Sequence, residues 1–364
     1  MMRALTGLSV VAAVSVVTAF VYPSSTRSRP AAPPPAPNGF SDTAETVMGT
    51  LVAPPSARFL ARIRNGKMGG VILLGNGWLT RRTAATVTAE LQQAACTRNE
   101  PLLIAVDQEG GIVRRLPWAA PTEAPDEMSS ASVARTQASA AATALHSVGI
   151  DVDFAPVVDT PGSVHNFLGS RAFSRSRTWN AQMARAFVGG LQTKGIAATA
   201  KHFPGLGLAS GNTDNGRIVI RASASKLHQG LLPFQSAVRA GVKLVMISTA
   251  VYPKLDGSKR PAAFSSTIIN GLLRKKLGFK GVTVTDSLTA PAAERIPHTA
   301  TRAMLAGSDL LIFGAESASE RGYATLLADQ ADSPRLRARI TQAAARVRAL
   351  KAWLALHGGP SCPG

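Results

Sequence analysis

Two cysteines, Cys96 and Cys362, are all that 364 residues contain. A cysteine-based zinc site needs clustered thiolates, so this spacing excludes one. Either a single disulfide tying the C-terminal tail to the body, or two free thiols, stays open. Carboxylates are also scarce: 21 Asp and Glu stand against 40 Lys and Arg, a formal charge of +19. That excess predicts anionic surroundings, such as nucleic acid, a membrane surface or an acidic cell-wall polymer. The basic residues are scattered, many as single arginines in alanine-rich stretches, rather than massed as groove binding requires. This distribution argues against nucleic acid. No G-x-G-x-x-G turn follows an early strand-like run, which argues against a doubly wound nucleotide-binding sheet.

What is present points to a folded, exported protein. A hydrophobic content of 45% supports a sizeable core. Arg3 precedes an apolar run over 4–21, and Val17-Thr18-Ala19 offers small residues for signal peptidase. Residues 1–22 therefore read as a signal peptide, the alternative being a membrane anchor, since the run nearly reaches the ~18 residues of a minimal span. Residues 23–43 form a Pro-rich linker with too little apolar surface to pack. The remaining chain divides into one domain over 44–358 and a tail over 359–364. The expected location is extracellular or in the cell envelope.

Within the domain, short apolar runs at 50–53, 70–74, 102–106, 151–155, 197–202, 243–248, 281–285 and 309–313 alternate with helix-like stretches. The stretches lie at 80–95, 131–147, 180–194, 224–240, 267–277, 298–306 and 334–356. Strand-then-helix alternation implies parallel strands with crossover helices, and about eight repeats predict a single-domain α/β fold, a (β/α)8 TIM-like barrel. A complete barrel needs no partner, so a monomer is expected.

Barrels place their chemistry where strands end. Those ends carry Asp107 with Glu109, Pro156 with Asp159, Lys201 with His202, Thr249, and Asp286. Each acid alone could cap a turn, but their coincidence on one face predicts a site. The run ending in Lys201-His202-Phe203-Pro204-Gly205 is the most telling, because an apolar strand has no packing use for a Lys-His pair at its tip.

These residues resemble a known family. Ile104-Ala105-Val106-Asp107-Gln108-Glu109-Gly110-Gly111, Asp153-Phe154-Ala155-Pro156-Val157-Val158-Asp159, Gly169-Ser170-Arg171-Ala172-Phe173, Lys201-His202-Phe203-Pro204-Gly205 and Val284-Thr285-Asp286-Ser287-Leu288 occur in the order seen in family 3 glycoside hydrolases. The resemblance is to the single-barrel β-N-acetylglucosaminidase branch that acts on muropeptides. It implies a retaining exo-glycosidase with Asp286 as nucleophile and Asp107, Arg115, Arg171, Lys201 and His202 as sugar-holding residues. Arg171 and Lys201 have a second reading, as structural ion pairs with Asp107 or Asp159. The mechanism needs no metal and no cofactor. Relatives in other parts of the family imply β-glucosidase-like exo-glycosidase activity as an alternative.

One departure matters. The branch carries its acid/base histidine on a loop after the Lys-His-Phe-Pro-Gly motif, oriented by an aspartate two residues earlier. Here Asn212-Thr213-Asp214 occupies those places, no histidine lies between Gly205 and Arg217, and Leu206 and Thr249 replace two further histidines. Asp214 is the expected acid/base, provided burial raises its pKa. Otherwise the protein is a catalytically weakened cell-wall sugar-binding protein. Glycines at 207, 211 and 216 are expected to let the loop move. The expected partners are N-acetylglucosamine-containing muropeptides or oligosaccharides and, by charge, the anionic cell envelope.

Overall fold

The computed structural model describes residues 39–362. The segment read as a signal peptide or anchor, and the linker up to residue 38, lie outside the described residues. The folded body starts a few residues earlier than expected. Phe40 is buried, and α1 (Asp42–Glu45), capped by the Ser41 hydroxyl, packs against the C-terminal helix.

Eight parallel strands form the barrel: β1 (Val47–Leu51), β2 (Gly70–Leu73), β3 (Leu103–Val106), β6 (Val152–Asp153), β7 (Ala197–Phe203), β8 (Leu244–Ile247), β9 (Val282–Thr285) and β10 (Leu311–Ile312). Their order is β10-β1-β2-β3-β6-β7-β8-β9, and a parallel bridge between Val284 and Leu310 joins the two ends. A short antiparallel hairpin, β4 (Gln108–Gly110) and β5 (Val113–Arg114), stands on the end of β3. All eight apolar runs read from the sequence become barrel strands, within a few residues.

Alternation along each strand sorts side chains between two cores. Met48, Ile72, Leu103, Ala105, Val152, Ala197, Leu244, Met246, Val282, Val284 and Ile312 fill the barrel interior. Val47, Val71, Leu73, Ile104, Val106, Ala198, Val245 and Ile247 face outward into the helical layer. That layer comprises α2 (Ala57–Arg64), α3 (Arg81–Cys96), α4 (Ala131–His146), α5 (Arg177–Gln192), α6 (Ala224–Gln229), α7 (Leu232–Arg239), a π-helix (Thr267–Lys276), α8 (Pro291–Glu294), α9 (Thr299–Ala306) and α10 (Glu316–Ala331). The last helix, α11 (Pro334–Leu356), inserts Val347, Leu350 and Leu354 into the interior cluster and so closes the barrel floor, opposite the strands' C-terminal ends.

Three features depart from the sequence reading. The stretch 224–240 is two helices, because the chain turns at Gly230 and restarts with Pro233 in the first turn of α7, where a missing N–H costs nothing. Helix α2 escaped notice because one of its buried residues, Arg62, is charged, held by Glu316 and Glu320. Helix α10 buries Ala318, Ser319, Gly322 and Leu326, too small and polar a face to give a clear apolar period. The two cysteines form a disulfide, Cys96 to Cys362, with Cα atoms 5.3 Å apart. It fastens the tail at the N-terminal end of the barrel. No helix among the described residues is long and apolar enough to cross a membrane.

Candidate active site

Asp107 leaves β3 and the chain immediately folds back through the β4–β5 hairpin. Gln108, fully buried, pins this return: its amide donates to the Leu116 and Ala120 carbonyls, and its side-chain oxygen accepts from Leu116 N–H. The hairpin drives Glu109 into the interior beside Lys201, from β7. Lys201 Nζ lies 2.6 Å from Asp107 Oδ1 and 2.6 Å from Glu109 Oε1. Arg171, in the turn Gly169–Arg171, donates Nε and Nη2 to the two Glu109 oxygens, each at 2.8 Å.

Two cations and two carboxylates thus neutralise one another out of water, which is the condition for burying any of them. Burial alone would push the Glu109 carboxyl up, but Lys201 and Arg171 outweigh it and bring its pKa down to about 2. Burial likewise opposes the charge on Lys201, yet Asp107 and Glu109 raise its pKa above the usual range. Asp153, buried nearby, is different. Burial, opposed by Gln108 N–H and Lys201, holds its carboxyl well above the usual range, and its Oδ2 finds no partner among the described residues. Burial therefore favours the neutral form of this carboxyl.

His202 stands on the next position of β7. Asp159 Oδ2 accepts from His202 N–H at 3.2 Å and lies 2.8 Å from Nδ1, while Oδ1 accepts from Leu206 N–H at 2.7 Å. One buried carboxylate thus fixes both the imidazole and the first residue of the following loop. A carboxylate oxygen can only accept, so His202 Nδ1 carries the proton of this contact.

Asp286 follows β9, its backbone N–H bonded to Ile247 O at 2.8 Å, and its Oδ1 accepts from Ser287 N–H at 2.8 Å. Burial raises its pKa, the nearby Asp214 charge adds to this, and His202, Ser287 N–H and Lys201 oppose it. Asp214 itself is exposed. Its backbone N–H donates to Asn212 Oδ1 at 3.0 Å, and Asn212 Nδ2 donates to Asp214 Oδ2 at 3.1 Å. Asn212 therefore contacts the acid two residues on, but the burial expected around Asp214 is missing in this arrangement of the loop.

The glycines of that loop differ in kind. A Cβ on Gly207 would meet Thr160 O at 1.8 Å, so Gly207 is a packed anchor rather than the hinge expected of it. Gly216 has open space around it, and a Cβ on Gly211 would meet only Ile218 Cδ1, at an ordinary contact distance of 3.7 Å.

These groups line one cavity of about 210 Å³ at the C-terminal mouth of the barrel. Asp107, Arg115, Arg171, Lys201, His202, Asp214 and Asp286, the seven residues singled out from the sequence, all face it. The Nε of Arg115 is buried there without a partner among the described residues. The sequence reading placed Glu109 at a strand end but omitted it from the site, and its alternative pairing of Lys201 and Arg171 with Asp107 or Asp159 holds for Lys201 with Asp107 but not for Arg171. The partner of Arg171 is Glu109. A second charge two residues past the end of β3 was the available signal. Among the described residues, no three His, Cys, Asp or Glu side chains converge as metal ligands.

Comparison with known proteins gives the family. The model of the glycosyl hydrolase family 3 N terminal domain matches residues 46–350. A beta-hexosaminidase of Thioalkalivibrio sulfidiphilus is 34% identical over 72% of this chain and 78% of its own length. One from Bordetella pertussis is 33% identical over 73% of this chain and 78% of its own. Among solved structures, a family 3 beta-N-acetylglucosaminidase from Paenibacillus sp. str. FPU-7 superposes with a TM-score of 0.81 at 30% identity, covering 89% of this chain and 64% of that longer one. A beta-N-acetylhexosaminidase from Beutenbergia cavernae gives 0.78 at 32% identity, covering 85% of this chain and 97% of that one. The chain belongs to glycoside hydrolase family 3.

Proposed function

We propose that this glycoside hydrolase is an exported, retaining exo-β-N-acetylglucosaminidase acting on β-linked N-acetylglucosamine at the non-reducing ends of cell-wall fragments. The observation that carries this reading is the shared cavity, in which Asp286 and Asp214 meet a ring of Asp107, Arg115, Arg171, Lys201 and His202. Relatives named beta-hexosaminidase support the choice of sugar.

In this mechanism Asp286 attacks the anomeric carbon and the glycosidic C–O bond breaks, giving a glycosyl-enzyme ester. Asp214 protonates the departing oxygen, then takes a proton from the water that cleaves the ester. Ser287 N–H orients the attacking carboxylate, and His202 and Lys201 favour its charged form against burial. Asp107 accepts from sugar hydroxyls while Arg115, Arg171 and Lys201 donate to hydroxyl and N-acetyl oxygens. These contacts hold the ring as it distorts towards the oxocarbenium state. The open loop must bring Asp214 down to the glycosidic oxygen, and closure over the sugar would supply the burial that the free protein lacks.

Export rests on the apolar segment at 4–21 and the charge of +19, which would concentrate the enzyme at an anionic envelope. A monomer suffices for a complete barrel.

The exposure of Asp214 favours a second reading, a weakened sugar-binding protein. Turnover of 4-nitrophenyl β-N-acetylglucosaminide well above the matching β-glucoside is expected, and preference for the glucoside would replace the assigned activity. Binding of a 2-fluoro sugar without covalent labelling of Asp286 would establish the binding protein instead.

A further inference from the structure

A larger cavity, about 470 Å³, lies on the barrel flank between the turn Ala262–Phe264 and the helices α8 and α9. Its charged lining is entirely cationic: Arg217, Lys259, Arg260, Arg302 and Arg335, all exposed. Phe264, Ile296 and Leu305 supply an apolar floor. The only side-chain hydrogen bond recorded for these five cations among the described residues is a long one, Arg217 Nη2 to the Lys259 carbonyl at 3.5 Å.

Asp256 lies near enough to Arg260 to feel its charge, but none of the five forms an ion pair among the described residues. Elsewhere on this basic chain arginines find acids: Arg58 meets Glu320, Arg348 meets Asp42, and Arg274, Arg339 and Arg346 converge on the single buried Asp309. Five like charges around one concave, partly apolar space repel one another, and that repulsion is relieved by a bound anion. Four of the five are guanidinium groups, whose paired donors fit phosphoryl oxygens two at a time. The space is too large for one phosphate to reach every side.

We propose that this flank cavity binds a ligand carrying two or more phosphate groups. Arg217 lies three residues beyond Asp214, so the occupant contacts the same loop that carries the proposed acid/base, although the proposal does not depend on that role. A phosphodiester polymer and a free polyphosphate present the same chemistry, and the assay separates them.

The test is calorimetric titration of the full chain with tripolyphosphate, a short poly(glycerol phosphate) and citrate, at fixed moderate salt. The expected result is one saturable site for a phosphate ligand, with the tighter of the two phosphate probes identifying the source. Arg260→Ser with Arg302→Ser should weaken it about tenfold or more, since two charge-assisted contacts are lost. Arg82→Ser with Arg135→Ser, on exposed faces of α3 and α4, removes the same net charge and should change it less than about twofold. Equal weakening in both double variants would mean diffuse attraction to a basic protein and overturn the site. So would absence of saturation, or citrate binding as tightly as tripolyphosphate. Unchanged turnover of an aryl glycoside by the Arg260/Arg302 variant verifies that it folds.

Discussion

Glu109 grips the Arg171 guanidinium with both carboxylate oxygens, at 2.8 Å each, while the ammonium of Lys201 lies 2.6 Å from one of them. Two of the proposed sugar-binding cations are thus set by a single buried acid. In Glu109→Gln the volume is kept and the charge is lost, leaving Arg171 without its fork. We expect a loss of about 3 kcal/mol in urea denaturation, as when one partner of a buried pair is removed. KM should rise with it. Unchanged stability and KM would show that Asp107 alone holds the cations.

Asp214→Asn separates substrates by leaving group. Poor leaving groups need the proton and should lose about 100-fold or more in kcat/KM, whereas activated aryl glycosides lose far less. Equal losses for both would remove Asp214 from the acid/base role. Asp286→Ala should abolish turnover of every substrate.

The same Asp214 variant reports on Asp286 through pH. Asp214 adds to the upward displacement that burial imposes on the Asp286 carboxyl. Without that like charge, Asp286 ionises at lower pH, so the acid limb of kcat/KM for an activated substrate should move down. An acid limb that stays put would mean the two carboxylates do not interact in solution.

At the barrel floor, Asp151 is buried and accepts from Ile104 N–H at 2.9 Å. Burial pushes its carboxyl up to about 8, opposed by that N–H and by Lys351. The folded state therefore holds a proton that the unfolded chain releases near its ordinary value of about 4. Stability from this group is fully present below pH 4 and is lost as pH rises towards 8. Asp151→Asn keeps the acceptor and removes the titration, so its melting temperature should exceed that of the parent at pH 8.5 or so and match it near pH 4. A variant that melts lower at both pH values would show that the carboxyl is needed for packing.

Reducing the Cys96–Cys362 bridge opens a loop of 266 residues at the end of the barrel away from the cavity. The chain-entropy model gives a loss of up to about 5.5 kcal/mol. The melting temperature should fall while kcat on an aryl glycoside at 25 °C or so stays constant. A fall in kcat would place the tail's influence at the mouth.

The barrel was legible because each strand is a short apolar run buried on both faces, a pattern that few other folds repeat eight times. Asp107, Lys201, His202 and Asp286 were legible for a related reason, since charge at the end of an apolar strand has no packing use, whereas Arg115, Arg171 and Asp214 were read from the resemblance to the family. What escaped was context. Glu109 looks in sequence like an ordinary polar neighbour of Asp107, and only the hairpin fold-back turns it inward. The burial that the acid/base role of Asp214 required is not met, because the loop leaves that side chain exposed. The cysteine pairing stayed undecided because separation along the chain says nothing of the 5.3 Å between their Cα atoms. Helix α10 shows a similar limit, since Ala, Ser and Gly pack well yet barely mark a face.

The loop bearing Asp214 is held by two posts. Leu206 N–H reaches Asp159 and the Gly207 carbonyl takes Gly162 N–H at one end, and at the other Ile218 and Ile220 bond to Val251. Between them, the Asn212–Asp214 pair bonds mainly to itself. Such an arrangement is modular for evolution. Substitutions at the tip change which proton donor is presented without disturbing the core, whereas any side chain at Gly207 collides with Thr160. In the proposed mechanism the proton donor therefore sits where substitution leaves the barrel untouched, so its chemistry and the stability of the fold can vary independently.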